Sequence, residues 1–165
     1  MNEIKKIFLT GASGGIGSAI CKKFIDKNFT LVLTASSDEK VDKLKQIYGD
    51  NNFYYKVNLA DSEILNICLN EIAKIHKDIS VIVNNAGVTE DNLIFRMKSE
   101  QWNRVIQTNL NSNYQIIKSL LPNMLSKKYG KIIGISSIVG STGNPGQANY
   151  VASKSGMIGL YKSIA

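Results

Sequence analysis

The 165 residues amount to one domain, and 44% hydrophobic with 20% charged side chains is the make-up of a globular chain with a single core, which excludes a disordered or fibrous protein. No apolar run approaches the ~18 residues that span a bilayer, and Met1–Leu9 offers only a short apolar stretch after Lys5 and Lys6, too little for a secretion signal, so the expectation is a cytoplasmic protein with no membrane association. All 13 Asp and Glu lie at or before Glu100 while seven of the 20 Lys and Arg follow it, so the formal +7 belongs to the last third; with no basic run and no interleaved aromatics this speaks against nucleic acid and for an acidic protein partner or phosphorylated ligands.

Short β-branched runs alternate with longer helical patterns, the signature of βαβ units in an α/β fold with a doubly wound parallel sheet. Lys6–Thr10 is the first predicted strand. Directly after it comes Thr10-Gly-Ala-Ser-Gly-Gly-Ile-Gly17, which opens a helix over Gly15–Lys27. A strand before and a helix after are the context of a dinucleotide-binding turn, in which glycines admit a pyrophosphate to the backbone and the free N–H groups of the helix start favour an anion. The second strand, Thr30–Ala35, ends in Leu33-Thr-Ala-Ser-Ser37, and Ser37 is a plausible N-cap for the helix Asp38–Tyr48. Strand Phe53–Val57, helix Asp61–Ile75 with Asp61 as its cap, and strand Ile79–Asn84 follow.

His76, the only histidine, falls where the third helix would end, a favourable place for a cation, and a surface role is expected of it. Cys21 and Cys68 sit among apolar residues with no second cysteine or histidine at ligand spacing; they read as reduced core thiols, and no metal site is expected. The remaining elements are one helix over Gln101–Lys127, a strand over Gly130–Ser136, and a helix that begins near Asn149 and is still running at Ala165. Tyr150 and Lys154, one helical turn apart, share a face at the start of that helix. Tyr114 and Lys118 have the same spacing but lie mid-helix, away from a strand end, and read as packing or interface.

Glycines at 11, 15 and 17, Asn84-Asn-Ala-Gly87 after the fourth strand, Ser137 after the fifth and Tyr150-Val-Ala-Ser-Lys154 occur in the order found in the short-chain dehydrogenase/reductase family, which this chain resembles from Lys6 to Ala165. The resemblance implies a single NAD(P)-binding Rossmann-like domain over 1–165 with five of the family's usual seven strands, lacking the C-terminal strands and substrate loop. It implies cofactor binding by Gly11, Ser13, Gly14, Gly15, Ile16 and Gly17, by Asn58 and Leu59 at the adenine, and by Asn85, Ala86 and Gly87 beneath the nicotinamide ribose. Ser36 and Ser37 stand where an acidic residue would select NAD, which favours NADP(H), although Asp38 and Glu39 follow closely and Gly14 occupies a position where NADP-preferring relatives often carry Arg.

Catalysis by resemblance falls to Tyr150 as proton donor, Lys154 as the cation that stabilises a phenolate and holds the ribose, Ser137 as donor to the substrate oxygen, and Asn109 as holder of a water that links the lysine to solvent. Ser136 is the alternative to Ser137, and Asn111 or a plain polar face the alternative to Asn109. Asp91-Asn-Leu-Ile-Phe-Arg-Met-Lys98, Gly140 with Gly143–Tyr150, and Ile158–Ala165 look like the branch of the family that reduces 3-oxoacyl groups on acyl carrier protein in fatty-acid biosynthesis. That branch implies an acidic carrier protein as partner and a homotetramer built through Gln101–Lys127 and Asn149–Ala165. Lys127 and Lys128 match its basic docking position, or else decorate a helix C-terminus. A reductase of acyl-CoA or another ketone, and an inactive nucleotide-binding protein, are the rival readings.

Overall fold

The computed structural model describes residues 5–165, so residues 1–4 of the stretch weighed as a leader lie outside it. Five strands, β1 (Lys5–Thr10), β2 (Phe29–Ala35), β3 (Phe53–Lys56), β4 (Ile79–Asn84) and β5 (Lys131–Gly134), alternate with helices. They are α1 (Gly15–Ile25), α2 (Asp38–Tyr48), α3 (Ser62–Ile75), α4 (Ser99–Ile106), α5 (Ser112–Ser126), the single-turn α6 (Val139–Thr142) and α7 (Ala148–Ser163). All pairings are parallel, in the order β3-β2-β1-β4-β5. The expected doubly wound α/β sheet is present.

Strand alternation divides the core into two halves. Ile7, Leu9, Leu31, Leu33, Val81 and Val83 point to the face covered by Cys21 of α1 and by Val41 and Leu44 of α2. Phe8, Val32 and Ile82 point to the other, against Leu65, Leu69 and Ile72 of α3 and Ile116, Leu120 and Met124 of α5. Each fully buried side chain of this size contributes about 1.5–3 kcal/mol, which is why the central strands read as unbroken apolar runs. Burial pushes both the Cys21 and Cys68 thiols up to about 11, with the Glu71 carboxylate adding to the shift at Cys68.

Because β1 is flanked by β2 on one side and β4 on the other, the chain leaves the carboxyl ends of β1 and β4 in opposite directions. A crevice opens at that point, and it is where such sheets bind ligands. Side-chain caps fix the helices beside it: the Ser37 hydroxyl accepts from the Lys40 amide at 3.4 Å, and Asp61 Oδ1 accepts from the Glu63 and Ile64 amides at 3.1 and 3.0 Å. Among the described residues no helix is long and apolar enough to cross a membrane.

The structure corrects the sequence reading in four places, one of them the last helix, expected still to be running at Ala165, which ends at Ser163. The helix expected over Gln101–Lys127 starts at Ser99 and is interrupted by a π turn, Gln107–Asn111, between α4 and α5. The fifth strand ends at Gly134, so Ser136 and Ser137 lie in the connection beyond it. His76 is not on the surface: it is 1% exposed, its Nε2 lies 2.8 Å from the Tyr55 hydroxyl, and the Phe53 ring is 4.3 Å away. Burial, reinforced by the Lys6 ammonium, pulls the imidazole pKa below its ordinary 6.5.

The folded state therefore holds fewer protons on His76 than the unfolded state, and stability is lost as pH falls from 6.5 through the lowered folded value. Replacing His76 by Gln should flatten the dependence of urea-unfolding stability on pH in that interval. An unchanged slope would show that the histidine is not what titrates.

Candidate active site

A cleft of about 550 Å³ lies over the carboxyl ends of the strands. Gly11, Ser13, Gly14, Gly15, Ile16, Gly17, Ser36, Asn58, Leu59, Asn85, Ala86 and Gly87 line it, twelve of the residues expected at a dinucleotide. Ser37, Tyr150 and Lys154 do not. Ser37 spends its hydroxyl on the α2 cap.

The glycine turn is held from below by a clamp. Thr10 Oγ1, buried, accepts from the amides of Asn85 and Ala86, both at 3.1 Å, and Asn85 Nδ2 donates to the carbonyls of Thr10 and Gly11 at 3.1 and 3.0 Å. Gly11 has φ +71°, and a Cβ there would come within 2.8 Å of Asn85 Nδ2. A Cβ at Gly17 would overlap the Gly11 carbonyl oxygen. Those two glycines are demanded by the chain itself. Gly15 is not: its φ is unremarkable and nothing lies within 4 Å of a Cβ built on it, yet it opens α1 and lines the cleft.

No side chain caps α1, so the orphan amides of its first turn face the cleft with the positive end of the helix. An uncapped helix start beside open space is the arrangement a pyrophosphate fills, and in this respect the residues fit a dinucleotide.

At the other end of the cleft, Gly87 borders the expected catalytic group. A Cβ on Gly87 would lie 3.4 Å from Asn109 Oδ1 and 3.6 Å from Lys154 Nζ. Lys154 is 3% exposed and has no carboxylate partner among the described residues; Nζ donates to the Ile135 carbonyl at 2.7 Å and lies 3.8 Å from the Met157 sulfur. Burial pulls its pKa below 10.5. The ammonium stands 5.6 Å from the centre of the Tyr150 ring.

For Tyr114 and Lys118 the same distance is 5.7 Å, so spacing alone gives both pairs one geometry. Their surroundings differ. Tyr114 is 52% exposed on α5 and Lys118 is in solvent, which removes packing within the chain as a role for that pair.

Asn109 is fully buried in the π turn, where its Oδ1 accepts from the Val88 amide at 2.8 Å and its Nδ2 donates to the Val88 carbonyl at 2.9 Å and to Ser153 Oγ at 3.2 Å. Its amide thus ties the loop after β4 to α7. The wide turn explains the polar run that follows. Ser112 Oγ donates to the Thr108 carbonyl at 2.6 Å and Asn113 Nδ2 to the Asn109 carbonyl at 2.9 Å, supplying donors where helical bonding is disrupted. Asn111, the alternative, is exposed and bonded to Gln107.

Ser136 donates to the Lys154 carbonyl at 3.2 Å and so braces α7. The Ser137 hydroxyl and the Tyr150 phenol make no hydrogen bond among the described residues. A buried network backs this region: the Tyr161 hydroxyl accepts from Asn84 Nδ2 and donates to Asn113 Oδ1, each at 2.8 Å, over Gly134, where a Cβ would meet the ring at 2.5 Å.

Eight lining residues escape sequence reasoning: Thr34, Ala35, Lys40, Val57, Ala60, Val88, Arg104 and Thr108. Lys40 alone left a trace, a cation in the first turn of a helix, where the macrodipole disfavours it.

The profile of the short chain dehydrogenase family matches residues 5–165. The chain belongs to the short-chain dehydrogenase family. A short-chain dehydrogenase from Streptomyces avermitilis superposes with a TM-score of 0.90 over all of this chain and 61% of its own, at 26% identity. The 3-oxoacyl-[acyl-carrier-protein] reductase FabG of Haemophilus influenzae is 42% identical over 98% of this chain and 66% of its own length. Its namesakes from Rickettsia conorii and Escherichia coli are 44% and 40% identical over 98% and 99% of the chain, and 65% and 67% of their own lengths. The chain spans about two thirds of the curated relatives it matches.

Proposed function

We propose that this short-chain dehydrogenase is an oxidoreductase that uses NADPH to reduce 3-oxoacyl-[acyl-carrier-protein] to the (3R)-hydroxyacyl form in cytoplasmic fatty-acid biosynthesis. One observation carries the reductase reading: the buried ammonium of Lys154, with no carboxylate partner among the described residues, stands 5.6 Å from the centre of the Tyr150 ring and 3.6 Å from a Cβ built on Gly87, which lines the cleft. The names of its relatives carry the choice of substrate.

A bound dinucleotide would have its pyrophosphate held by the first-turn amides of α1, its adenine bordered by Asn58 and Leu59, and its nicotinamide side walled by Asn85, Ala86 and Gly87. When bound, NADPH supplies the hydride. The protein's own task is the ketone oxygen, which gains negative charge as the carbonyl is reduced and must receive a proton. The Tyr150 phenol, uncommitted within the fold, donates it. The Ser137 hydroxyl donates a second hydrogen bond to the same oxygen and fixes it against the phenol. Lys154, held by the Ile135 carbonyl, places a positive charge beside the phenol and stabilises the phenolate that proton donation leaves. Asn109 keeps the Val88 loop and Ser153 in register around that ammonium.

Carrier docking is assigned to the basic turn after α5. Lys128 has φ +53° and donates its amide to the Leu125 carbonyl, a left-handed position after a helix that glycine usually fills. A lysine there costs backbone energy that a cap alone would not require, which favours a use for its exposed ammonium.

The test is NADPH consumption with a 3-oxoacyl group on acyl carrier protein and on CoA. The carrier-linked substrate should be preferred, and Lys128→Glu should raise its KM by about tenfold while leaving the CoA thioester nearly unaffected. Equal effects on both substrates would remove Lys128 from docking. Preference for the CoA thioester would favour the rival acyl-CoA reductase, and no turnover of either would favour the inactive nucleotide-binding protein.

A further inference from the structure

Tyr150, Lys154, Met157 and Tyr161 follow one another along α7 at spacings of four, three and four, and so share one face of the helix. The first two are assigned to the reaction, and the buried Met157 sulfur lies 3.8 Å from the Lys154 ammonium. Tyr161 stands outside that chemistry, yet its hydroxyl belongs to a polar chain that runs back to the same site.

The far end of the chain fixes its direction. The Asn109 carbonyl can only accept, so Asn113 turns its Nδ2 toward it, at 2.9 Å. Asn113 Oδ1 then faces the Tyr161 phenol and accepts from it at 2.8 Å, and the phenol oxygen accepts from Asn84 Nδ2 at 2.8 Å. Beyond the π turn the donors continue: Asn109 Nδ2 donates to Ser153 Oγ at 3.2 Å, and Ser153 Oγ to the Tyr150 carbonyl at 2.7 Å. One line of hydrogen bonds, passing through Asn109, thus joins the last residue of β4 to the backbone of Tyr150. Asn85, Ala86 and Gly87, which line the cleft, follow directly on that last residue.

The fold accommodates the phenol at a cost. A Cβ at Gly134 would meet the Tyr161 ring at 2.5 Å, so the ring crosses β5 only because that strand lacks a side chain there. Asn84 Oδ1 is left buried with no partner among the described residues, a penalty that an apolar pair in place of Asn84 and Tyr161 would avoid. Burial pushes the Tyr161 phenol up to about 12, so near neutral pH it keeps the proton it donates to Asn113.

We propose that Tyr161 is a positioning residue for the reduction: its hydroxyl orients the Asn113 amide and through it the π turn, so that Asn109 holds the Val88 loop and Ser153 in place around Tyr150 and Lys154. The inference rests on the reductase reading above and adds a residue two turns of helix beyond Lys154 to it. A displacement of well under an ångström at the phenol and ammonium is enough to slow proton donation without altering how ligands bind.

Tyr161→Phe keeps the ring over Gly134 and removes only the hydroxyl. Per folded molecule, kcat for the 3-oxoacyl thioester should fall by about ten- to a hundredfold, while KM and the Kd of NADPH stay within about twofold. Amide hydrogen exchange should quicken by about tenfold at Val88 and over Gln107–Asn113 and stay unchanged in α1. Asn113→Ala cuts the chain on the other side of the phenol and should repeat these effects, and adding Tyr161→Phe to it should cost less than about twofold more in kcat. Tyr114→Phe, on the exposed face of α5, should change nothing. If the unaltered protein turns over neither the carrier-linked nor the CoA thioester, the reductase reading falls and this role with it. If it turns over either one and Tyr161→Phe keeps its kcat, or loses it equally with and without Asn113→Ala, the reading stands and Tyr161 is overturned. Should Tyr161→Phe fail to fold, an Asn113→Ala protein with unaltered kcat overturns the role just as well.

Discussion

Tyr150→Phe is expected to lower kcat by roughly two to four orders of magnitude while leaving the Kd of NADPH within about twofold, because a phenyl ring fills the same space but has no proton to give. The phenol makes no hydrogen bond among the described residues, so its loss breaks nothing in the fold. Unfolding temperature should therefore hold steady. That combination separates chemistry from architecture: a structural tyrosine would lose stability and keep its rate per folded molecule. Steady-state turnover, dinucleotide titration and a melting curve on one preparation decide it. Near-normal turnover would remove Tyr150 from the mechanism.

The second large effect falls on the glycine turn, where substitutions at two glycines two residues apart should change stability in opposite directions. Gly17→Ala puts a methyl group onto the Gly11 carbonyl oxygen and within 2.9 Å of Asn85 Nδ2. That carbonyl also accepts from the Gly14 amide at 3.2 Å and from Asn85 Nδ2 at 3.0 Å, so it cannot retreat without opening the clamp that joins β1 to the loop after β4. Overpacking of this kind costs about 1–3 kcal/mol or more, and dinucleotide binding should disappear with the turn. Gly15→Ala meets nothing in the chain and should stabilise α1 by about 0.4–1 kcal/mol, yet its methyl group protrudes into the cleft and should weaken NADPH markedly. Unfolding midpoints and binding titrations on the pair give the answer. A Gly15→Ala protein that binds NADPH as well as the unaltered one would show that the empty space there is not kept for a phosphate.

Much of this arrangement is legible along the chain because it is local. A strand, a glycine turn and a helix start are consecutive in sequence, so the turn Thr10–Gly17 and the helix it opens are readable before any tertiary contact is known. Central strands buried on both faces need apolar residues without alternation, and Leu31-Val-Leu33 and Val81-Ile-Val83 show them. Where the reading failed, the deciding contact came from elsewhere in the fold. His76 has the sequence of an exposed helix end, but Phe53 and Tyr55 of β3, some twenty residues earlier, close over it. The π turn around Asn109 uses residues that an unbroken helix also accepts, and it is fixed by the Val88 loop and Ser153.

The Tyr-Lys pairs draw the same boundary at the site. Sequence determined the spacing, and one helical turn gives Tyr114–Lys118 and Tyr150–Lys154 the same separation of ammonium and ring. Only the tertiary structure decided that one lysine stands in water while the other is sealed beside Gly87, since burial depends on what α7 packs against and not on its own periodicity. Likewise the order of charges after β2 is written in the chain, but which of them faces the cleft is not. Lys56 draws Asp38 outward and Ser36 keeps Lys40 in, because a side chain's direction is set by the partners it can reach in space.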